Sequence, residues 1–350
     1  MLKEAVKLVA FDIGGTLGRV GLLQCLPLIA SVDTARPASA GIPGPGEQRG
    51  RRETHSFSMH SLPPFEIVPL KLEIFQRAAS ESGPHWLARL IDCALKIAPE
   101  FPRACAVSFG GPVSPDGQIL SMHVPGWENV DLAGEIAQAF HISRSAVDVE
   151  NDANAGALGE YFFGAGRGAR DMLYFTVSTG IGGGVILDGK LRRGVHGFAG
   201  EFGHMLLDAR PDAPQYAAGK RGAFEALASG PALARMAREA LEKTGGNAPE
   251  IFSAKEVFDA AALALPWAVD ALETFTAQLA RGIAAAQCAF DVERIVIGGG
   301  VAQAGELLFE PLRKKIDGCL PIFLSGKFQL VPASLGDKAP MYGAVAACLE

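Results

Sequence analysis

A chain of 350 residues is longer than one hydrophobic core usually supports, so two lobes are expected, and 49% apolar residues suffice to fill their cores. The formal net charge of −6 argues against nucleic-acid or membrane partners, and no apolar run reaches the roughly 18 residues that span a bilayer. The N-terminus lacks a secretory apolar stretch and the six cysteines show no C-x-x-C spacing, so we expect a cytoplasmic protein with reduced thiols.

The first motif is Asp12-Ile13-Gly14-Gly15-Thr16, which lies between two apolar runs and is typical of strand, tight turn and strand. Its glycines and Thr16 would bring backbone N–H groups close to an anion such as a phosphate. Asp12, at the strand end, is a candidate Mg²⁺ ligand acting through water. Taken alone, the motif also fits an ordinary hairpin with an aspartate in its turn.

Residues 33–64 differ from the rest of the chain in composition, being rich in Pro, Gly, Ser and Arg. Such a segment lacks a periodic apolar face, so it predicts a mobile surface loop inserted into the first lobe. Its arginines fit either a partner site or a solvated loop tip.

Between residues 65 and 150, apolar periodicity predicts helices over 84–97 and 132–140 and a buried strand over 104–109. This alternation of strands and helices indicates an α/β domain. The strand over 104–109 ends at a Gly-Gly-Pro-Val turn that contains Gly111.

The stretch 149–155, Val-Glu-Asn-Asp-Ala-Asn-Ala, marks a predicted strand-to-helix corner. Asn151 and Asp152 are good helix caps, and at such a corner their side chains can reach a cleft. Either both residues only cap the helix, or Asp152 takes part in chemistry. The glycine-rich turns on both sides of this stretch favour the second interpretation.

After residue 170 the pattern restarts, with a strand over 172–177 followed by the glycine-rich turn 178–184 and a further strand. A third glycine turn, 298–300, is predicted to open a helix near residues 306–316. Neither of the first two turns fits G-x-x-x-x-G-K-[ST] or opens a helix, which argues against a P-loop and against nicotinamide binding. The candidates for nucleotide contact are Gly14, Gly15, Thr16, Thr179, Gly180, Gly298, Gly299 and Gly300.

Glu201 and His204 lie three residues apart in a glycine-flanked turn. A carboxylate and an imidazole placed together suit sugar hydroxyls, because the pair offers both acceptors and a donor. A zinc ligand or a satisfied surface histidine is the alternative interpretation of His204.

Eight stretches, in this order along the chain, resemble the ROK family of sugar kinases and sugar-responsive repressors. They are Asp12 to Thr16, Gly111 to Val113, Pro125 to Trp127, Glu150 to Ala155, Thr179 to Gly184, Ala199 to Met205, Ile297 to Val301 and Tyr342 to Ala344. The resemblance implies an α/β, actin-like, hexokinase-type ATPase fold, with two ribonuclease-H-like lobes around a cleft. Residues 1–150 would form the first lobe, rejoined by a C-terminal helix over 335–350, and residues 151–334 the second.

The resemblance also implies an activity and a set of site residues. Asp152 would be the base that takes the proton from a sugar hydroxyl, with ATP as phosphoryl donor, Mg²⁺ at Asp12 and a homodimeric assembly. The implied sugar contacts are Gly111, Asn151, Asp152, Glu201, His204 and Glu225. The chain would then be an ATP-dependent hexose kinase of glucokinase type, and the alternative is a non-catalytic sugar-binding or transcription-regulatory ROK protein.

The chain departs from the family at the zinc-binding cysteines, whose positions hold Tyr216, Ala218 and Ala223. A structural zinc needs about four ligands, and His204 alone supplies one nitrogen. No zinc site is therefore expected.

The chain departs from the family pattern in three more places: the first glycine turn, the residues before Pro-Gly-Trp and the N-terminus. Leu17 stands where many relatives have a lysine after the first glycine turn, and His123 stands where an asparagine often precedes Pro-Gly-Trp. His123 is therefore expected to alter sugar choice. The first predicted strand begins near residue 6, which leaves no room for an N-terminal helix-turn-helix and argues against a DNA-binding repressor.

Overall fold

The structure is a computed structural model, and it describes residues 4–27, 65–100, 102–119, 121, 125–128, 130–215, 220–247 and 253–349. Within these ranges the chain forms two five-stranded sheets. The predicted loop over 33–64 and the position His123 lie outside the described residues.

The first sheet places three strand ends at one edge. Its strands are β1 (Val6–Ile13), β2 (Leu17–Pro27), β3 (Phe65–Gln76), β4 (Cys105–Phe109) and β5 (Val147–Asn151), in the spatial order β3-β2-β1-β4-β5. Strands β1, β4 and β5 are parallel, with Ile13, Phe109 and Asn151 in register. The residues that follow these ends therefore meet, which brings the first glycine turn, Gly111 and Asp152 to the same edge.

The second sheet repeats this arrangement. Its strands are β6 (Met172–Val177), β7 (Ile181–Leu187), β8 (Lys190–Leu191), β9 (Arg294–Gly298) and β10 (Gln329–Pro332), in the order β10-β9-β6-β7-β8. Parallel strands β6 and β9 pair Thr176 with Gly298. The second and third glycine turns therefore leave the sheet side by side.

Two helices cross between the sheets. The helices are α1 (Gly83–Ile97), α2 (Leu132–Phe140), α3 (Asp152–Phe163), α4 (Phe224–Ala228), α5 (Gly230–Lys243), α6 (Ala254–Ala262), α7 (Pro266–Phe290), α8 (Glu306–Cys319) and α9 (Ala339–Leu349). Helix α3 leaves the first sheet and packs on β6 and β7, whereas α9 leaves the second sheet and packs on β1, β4 and β5. A Cβ at Gly343 would collide with the Ala155 carbonyl, so glycine permits the close crossing of α9 and α3.

Helix α9 completes the core of the first sheet. Its residues Met341, Ala344 and Val345 are buried in one cluster with Leu8 and Leu23 from β1 and β2. None of the described helices combines the length and apolar character of a membrane span.

One local prediction needs correction: the sequence predicts the second glycine turn over 178–184, but β7 already begins at Ile181, so the turn is confined to residues 178–180. The helix predicted near residues 306–316 is confirmed as α8, and a 3₁₀ helix over Gly300–Ala304 followed by Gly305 (φ 59°) connects the third glycine turn to it. Strand β8 is short: after the Arg192 N–H donates to the Val185 carbonyl, the chain turns away at Gly194 (φ 75°).

Candidate active site

Asn151, and not Asp152, caps helix α3. Asn151 Oδ1 accepts the backbone N–H groups of Ala153 and Asn154, both at 3.0 Å. Its Nδ2 donates to the Gly111 carbonyl at 2.9 Å. Asp152 is the first helical residue, so its carboxylate is not used in capping and can serve another purpose.

The Asp152 carboxylate lies where the first sheet meets the second half of the chain. A Cβ at Gly110 would lie 3.2 Å from the Ile13 carbonyl oxygen and 3.7 Å from Asp152 Oδ2. Burial, then the negative charges of Asp12 and Glu201, raise the pKa of Asp152 to about 7, against the lowering effect of a backbone hydrogen bond. A general base is most effective when its pKa lies near the working pH.

Asp12 is held by two side chains from neighbouring strands. Arg19 Nη1 donates to Asp12 Oδ2 at 2.7 Å and Ser108 Oγ donates to Oδ1 at 3.0 Å. Arg19 Nη2 also donates to Asp337 Oδ2, at 2.9 Å, just before α9. Burial raises the pKa of Asp12, and both Arg19 and Ser108 oppose that rise. Both partners stand opposite Asp12 in the β1 ladders, a pairing visible only once the strand register is known.

Arg77, which follows β3, donates hydrogen bonds to the first glycine turn. Its Nε donates to the Gly15 carbonyl at 2.6 Å and its backbone N–H donates to the Thr16 carbonyl at 2.8 Å. Gly14 closes the turn by donating its N–H to the Leu17 carbonyl at 3.0 Å. These three hydrogen bonds hold the turn between β1 and β2.

The second and third glycine turns lie together on the second sheet. Glu225 Oε2 accepts the Ile181 N–H at 3.0 Å, and any side chain at Gly180 would collide with that carboxylate. Gly299 has a φ of 84°, and a Cβ there would collide with the Val177 carbonyl at the end of β6. Glycine at 299 therefore permits the contact of the third turn with β6, and glycine at 180 leaves room for the Glu225 carboxylate that binds the second turn.

Glu201 and His204 lie beside these turns. His204 Nε2 is 3.8 Å from Glu201 Oε2. Burial raises the pKa of Glu201, opposed by His204 and reinforced by the charge of Glu225. Burial raises the pKa of Asp152 most, and Asp152 lies close enough to Glu201 for the negative charge of Glu201 to raise that pKa further. Carboxylates together with an imidazole suit a ligand rich in hydroxyl groups.

The segment that leads to Glu201 is tied to strand β5. Arg193 Nε donates to Glu150 Oε2 at 2.6 Å. The other Glu150 oxygen accepts the Asn151 N–H at 3.0 Å and Asn154 Nδ2 at 3.1 Å. Arg193 therefore joins the chain before Glu201 to the corner that presents Asp152, a link with no signal in the sequence motifs.

A cavity of about 450 Å³ opens beside the second and third glycine turns. This volume is in the range of small-molecule and cofactor sites. Its walls are Ser178, Thr179, Gly300 and Val301, one face of α5 (Gly230, Pro231, Ala234, Arg238) and the start of α6 (Ser253, Ala254, Lys255). Of these residues the sequence motifs singled out only Thr179 and Gly300 as nucleotide contacts.

Of the three positions at which relatives have zinc-binding cysteines, the structure describes only Ala223. Ala223 forms an isolated β-bridge with Leu206, while Tyr216 and Ala218 lie outside the described residues. Among the described residues, no group of three or more His, Cys, Asp or Glu side chains could hold a metal ion. The expectation that zinc is missing therefore stays a prediction.

Comparison with known proteins identifies the family. The family model of ROK matches residues 70–350. The chain belongs to the ROK family. Its two sheets and crossing helices form the actin-like, hexokinase-type ATPase fold of ROK hexokinases.

Three ROK relatives illustrate what the chain is similar to. It is 36% identical to a glucokinase of Thermotoga maritima over 276 residues, 75% of this chain and 85% of that protein. It is 32% identical over 224 residues to a xylose repressor of Bacillus spizizenii, 64% of this chain and 55% of the repressor. The crystal structure of a ROK family glucokinase from Streptomyces griseus in complex with glucose and AMPPNP superposes with a TM-score of 0.72 at 28% identity, covering 97% of this chain and 98% of that one.

Proposed function

We propose that this ROK protein is an ATP-dependent kinase that phosphorylates a hydroxyl group of glucose or a related hexose. The observation that carries the proposal is the Asp152 carboxylate, which does not cap its helix and has a pKa of about 7. It stands between the first glycine turn and Glu201. The similarity to a glucokinase, and to a structure holding glucose and AMPPNP, supports the assignment.

In this proposal Asp152 accepts the proton of the sugar hydroxyl as the hydroxyl oxygen attacks the γ-phosphorus of ATP. The bond between that phosphorus and the β,γ-bridging oxygen breaks, and ADP leaves. Phosphoryl transfer depends on in-line positioning and on stabilisation of phosphate charge, which the backbone N–H groups of the glycine turns would supply. Asn151 Nδ2, 3.3 Å from Asp152 Oδ1 and 2.9 Å from the Gly111 carbonyl, would orient the base against the sugar-binding edge. Glu201, His204 and Glu225 would bind the other hydroxyl groups.

Asp12 is the residue we propose for Mg²⁺, acting through a water molecule. Each of its carboxylate oxygens accepts one hydrogen bond from the protein, from Arg19 or Ser108, which leaves lone pairs for a metal-bound water. The side chain therefore fits an outer-sphere role. When bound, Mg²⁺ would neutralise charge on the phosphate groups.

An ADP-release assay over a panel of hexoses tests the proposal. We expect ATP consumption that depends on a hexose, with glucose among the best substrates. Sugar binding without ADP release would instead favour a non-catalytic sugar-binding or regulatory protein, the alternative that similarity to a xylose repressor keeps open. ATP hydrolysis that no sugar stimulates would support neither.

We also propose a cytoplasmic homodimer without nucleic-acid or membrane partners, in which residues 1–150 and the last helix form one lobe. The family resemblance supports the homodimer, and the net charge of −6 argues against nucleic-acid and anionic-membrane partners. Light scattering on the purified protein would measure the mass of the particle, and a monomer would contradict the dimer.

A further inference from the structure

Arg238 of helix α5 is a half-buried cation that faces the 450 Å³ cavity. Among the described residues it makes no hydrogen bond and no ion pair. Arg235, one turn earlier on the same helix, donates to the Ala226 carbonyl at 3.1 Å and pairs with Glu239 at 3.4 Å. Partly buried charges usually have a partner, so the free guanidinium at Arg238 points to a ligand.

The position of Arg238 along α5 defines which end of such a ligand it would meet. The Gly230 N–H, at the start of α5, donates to the Ser178 carbonyl at 2.7 Å, so this end of the helix touches the second glycine turn. Arg238 lies eight residues further on, about 12 Å along the helix axis. The cavity therefore has one end at Thr179 and Gly300 and the other at Arg238.

The walls between these ends suit a flat ring. Pro231, Ala234, Ala254 and Val301 contribute apolar surface to the cavity. Lys255, the other cation of the lining, is already paired with Asp259 one turn along α6. A nucleotide whose phosphates lie at the glycine turns would thus place its base beside the guanidinium of Arg238.

We propose that Arg238 contacts the base of the bound nucleotide, with its planar guanidinium against the ring face, and so selects nucleoside triphosphates over phosphate donors that lack a base. The inference rests on the proposed function, since it assumes that this cavity takes the nucleotide. An arginine is suited to the task because its guanidinium is planar and stacks on aromatic rings, whereas a lysine ammonium does not stack.

Calorimetric binding of adenosine, ADP and inorganic tripolyphosphate to the full chain tests this contact. In Arg238→Gln and Arg238→Lys we expect adenosine and ADP to bind about five- to tenfold more weakly, with tripolyphosphate changed less than about twofold. The KM for ATP should rise by the same factor, with kcat and the sugar KM unchanged. Arg235→Gln, which removes the same charge from the same helix outside the cavity, should bind all three ligands as the wild type does.

The alternative outcomes separate this inference from the proposed function. Equal weakening of tripolyphosphate and ADP would place Arg238 at the phosphates and overturn the base contact. Full adenosine affinity in Arg238→Lys would show that charge alone suffices, which also overturns it. If the wild type binds adenosine, ADP and ATP and the Arg238 variants bind them equally well, the inference alone is wrong. If the wild type binds none of these ligands, the proposed function is wrong as well.

Discussion

Asn151 and Asp152 are adjacent and similar in shape, yet their surroundings give them different roles. Asn151 Oδ1 holds two backbone N–H groups of α3, while Asp152 faces the charges of Asp12 and Glu201. Helix capping and the proposed proton transfer therefore reside on different side chains. Substitutions at the two positions should separate stability from catalysis.

Asp152→Asn should lower kcat by about 10²–10⁴-fold, the usual contribution of a positioned acid or base. The melting temperature should not fall, because the cap is Asn151 and the new amide keeps the shape of the carboxylate. The measurement is kcat at saturating sugar and ATP, with a melting curve on the same sample.

Asn151→Ala serves as the reference variant, since it should lose about 1 kcal/mol of stability with the cap. Wild-type kcat in Asp152→Asn would remove this residue from the chemistry and favour the sugar-binding alternative.

The raised pKa of Asp152 predicts opposite pH dependences for activity and stability. Activity needs the carboxylate, so kcat/KM should rise with pH and level off above about 7. The folded protein binds the Asp152 proton more tightly than the unfolded chain does. This contribution to the free energy of unfolding is therefore present at low pH and is lost as pH rises from about 4 through 7.

Urea unfolding at pH 5 and pH 8 measures the stability part. The drop in unfolding free energy between these values should be smaller in Asp152→Asn than in the wild type, by a few kcal/mol at most. An identical drop in both proteins would mean that Asp152 has an ordinary pKa.

At the scale of elements, the crossing of α3 and α9 depends on the absence of side chains. Gly343→Ala would place a Cβ against the Ala155 carbonyl, so the helices would have to separate, at a cost of about 1–3 kcal/mol or more. Gly318→Ala in α8 is the matched control, because a Cβ there meets nothing within 4 Å. The control should raise the unfolding free energy by about 0.5–1 kcal/mol, as alanine favours helix. Thermal or urea unfolding measures the stability of both variants. A Gly343→Ala variant as stable as Gly318→Ala would contradict the close crossing.

The link between Arg193 and Glu150 joins the segment before Glu201 to β5. Arg193→Gln should lower the unfolding free energy by about 1–2 kcal/mol, because Glu150 is buried and loses a charged donor. It should also raise the sugar KM several-fold more than the ATP KM, since Glu201 is a proposed sugar contact.

Arg192→Gln removes the same charge from the neighbouring position and provides the comparison. Arg192 pairs with Asp188 at 3.2 Å on the exposed surface, where an ion pair contributes little. If both variants show the same kinetics, Arg193 does not position the sugar-binding segment.

At the scale of the whole molecule, the first sheet shows where the chain can be shortened. Pro27 and Phe65 are ladder partners in the β2–β3 pair, so the ends of the segment between them are already adjacent. Replacing residues 33–64 by a short Gly-Ser link should therefore leave the melting temperature within a few degrees, because loop-closure entropy changes slowly with length. Insoluble protein, or a large fall in melting temperature, would show that the segment packs on the lobe.

Site residues marked by local sequence could be predicted, whereas those that depend on contacts between distant segments could not. Asp12 and Asp152 were found because each sits where an apolar run meets a turn, and parallel strands bring such ends together. The Arg19 contact with Asp12 required the antiparallel register, which apolar periodicity does not specify. Arg238 faces the cavity only because α5 is docked against the second glycine turn, a tertiary contact between distant segments.

Because α9 closes the core of the first sheet, the order of synthesis matters for this protein. Strands β1 and β2 leave the ribosome long before residues 339–349 do. Leu8 and Leu23 therefore stay without the cover of Met341 and Val345 until synthesis is complete. A nascent chain stalled before α9 therefore carries an uncovered apolar sheet face, the kind of surface that aggregates or recruits chaperones. Truncated translation products should consequently depend on chaperones far more than the finished chain does.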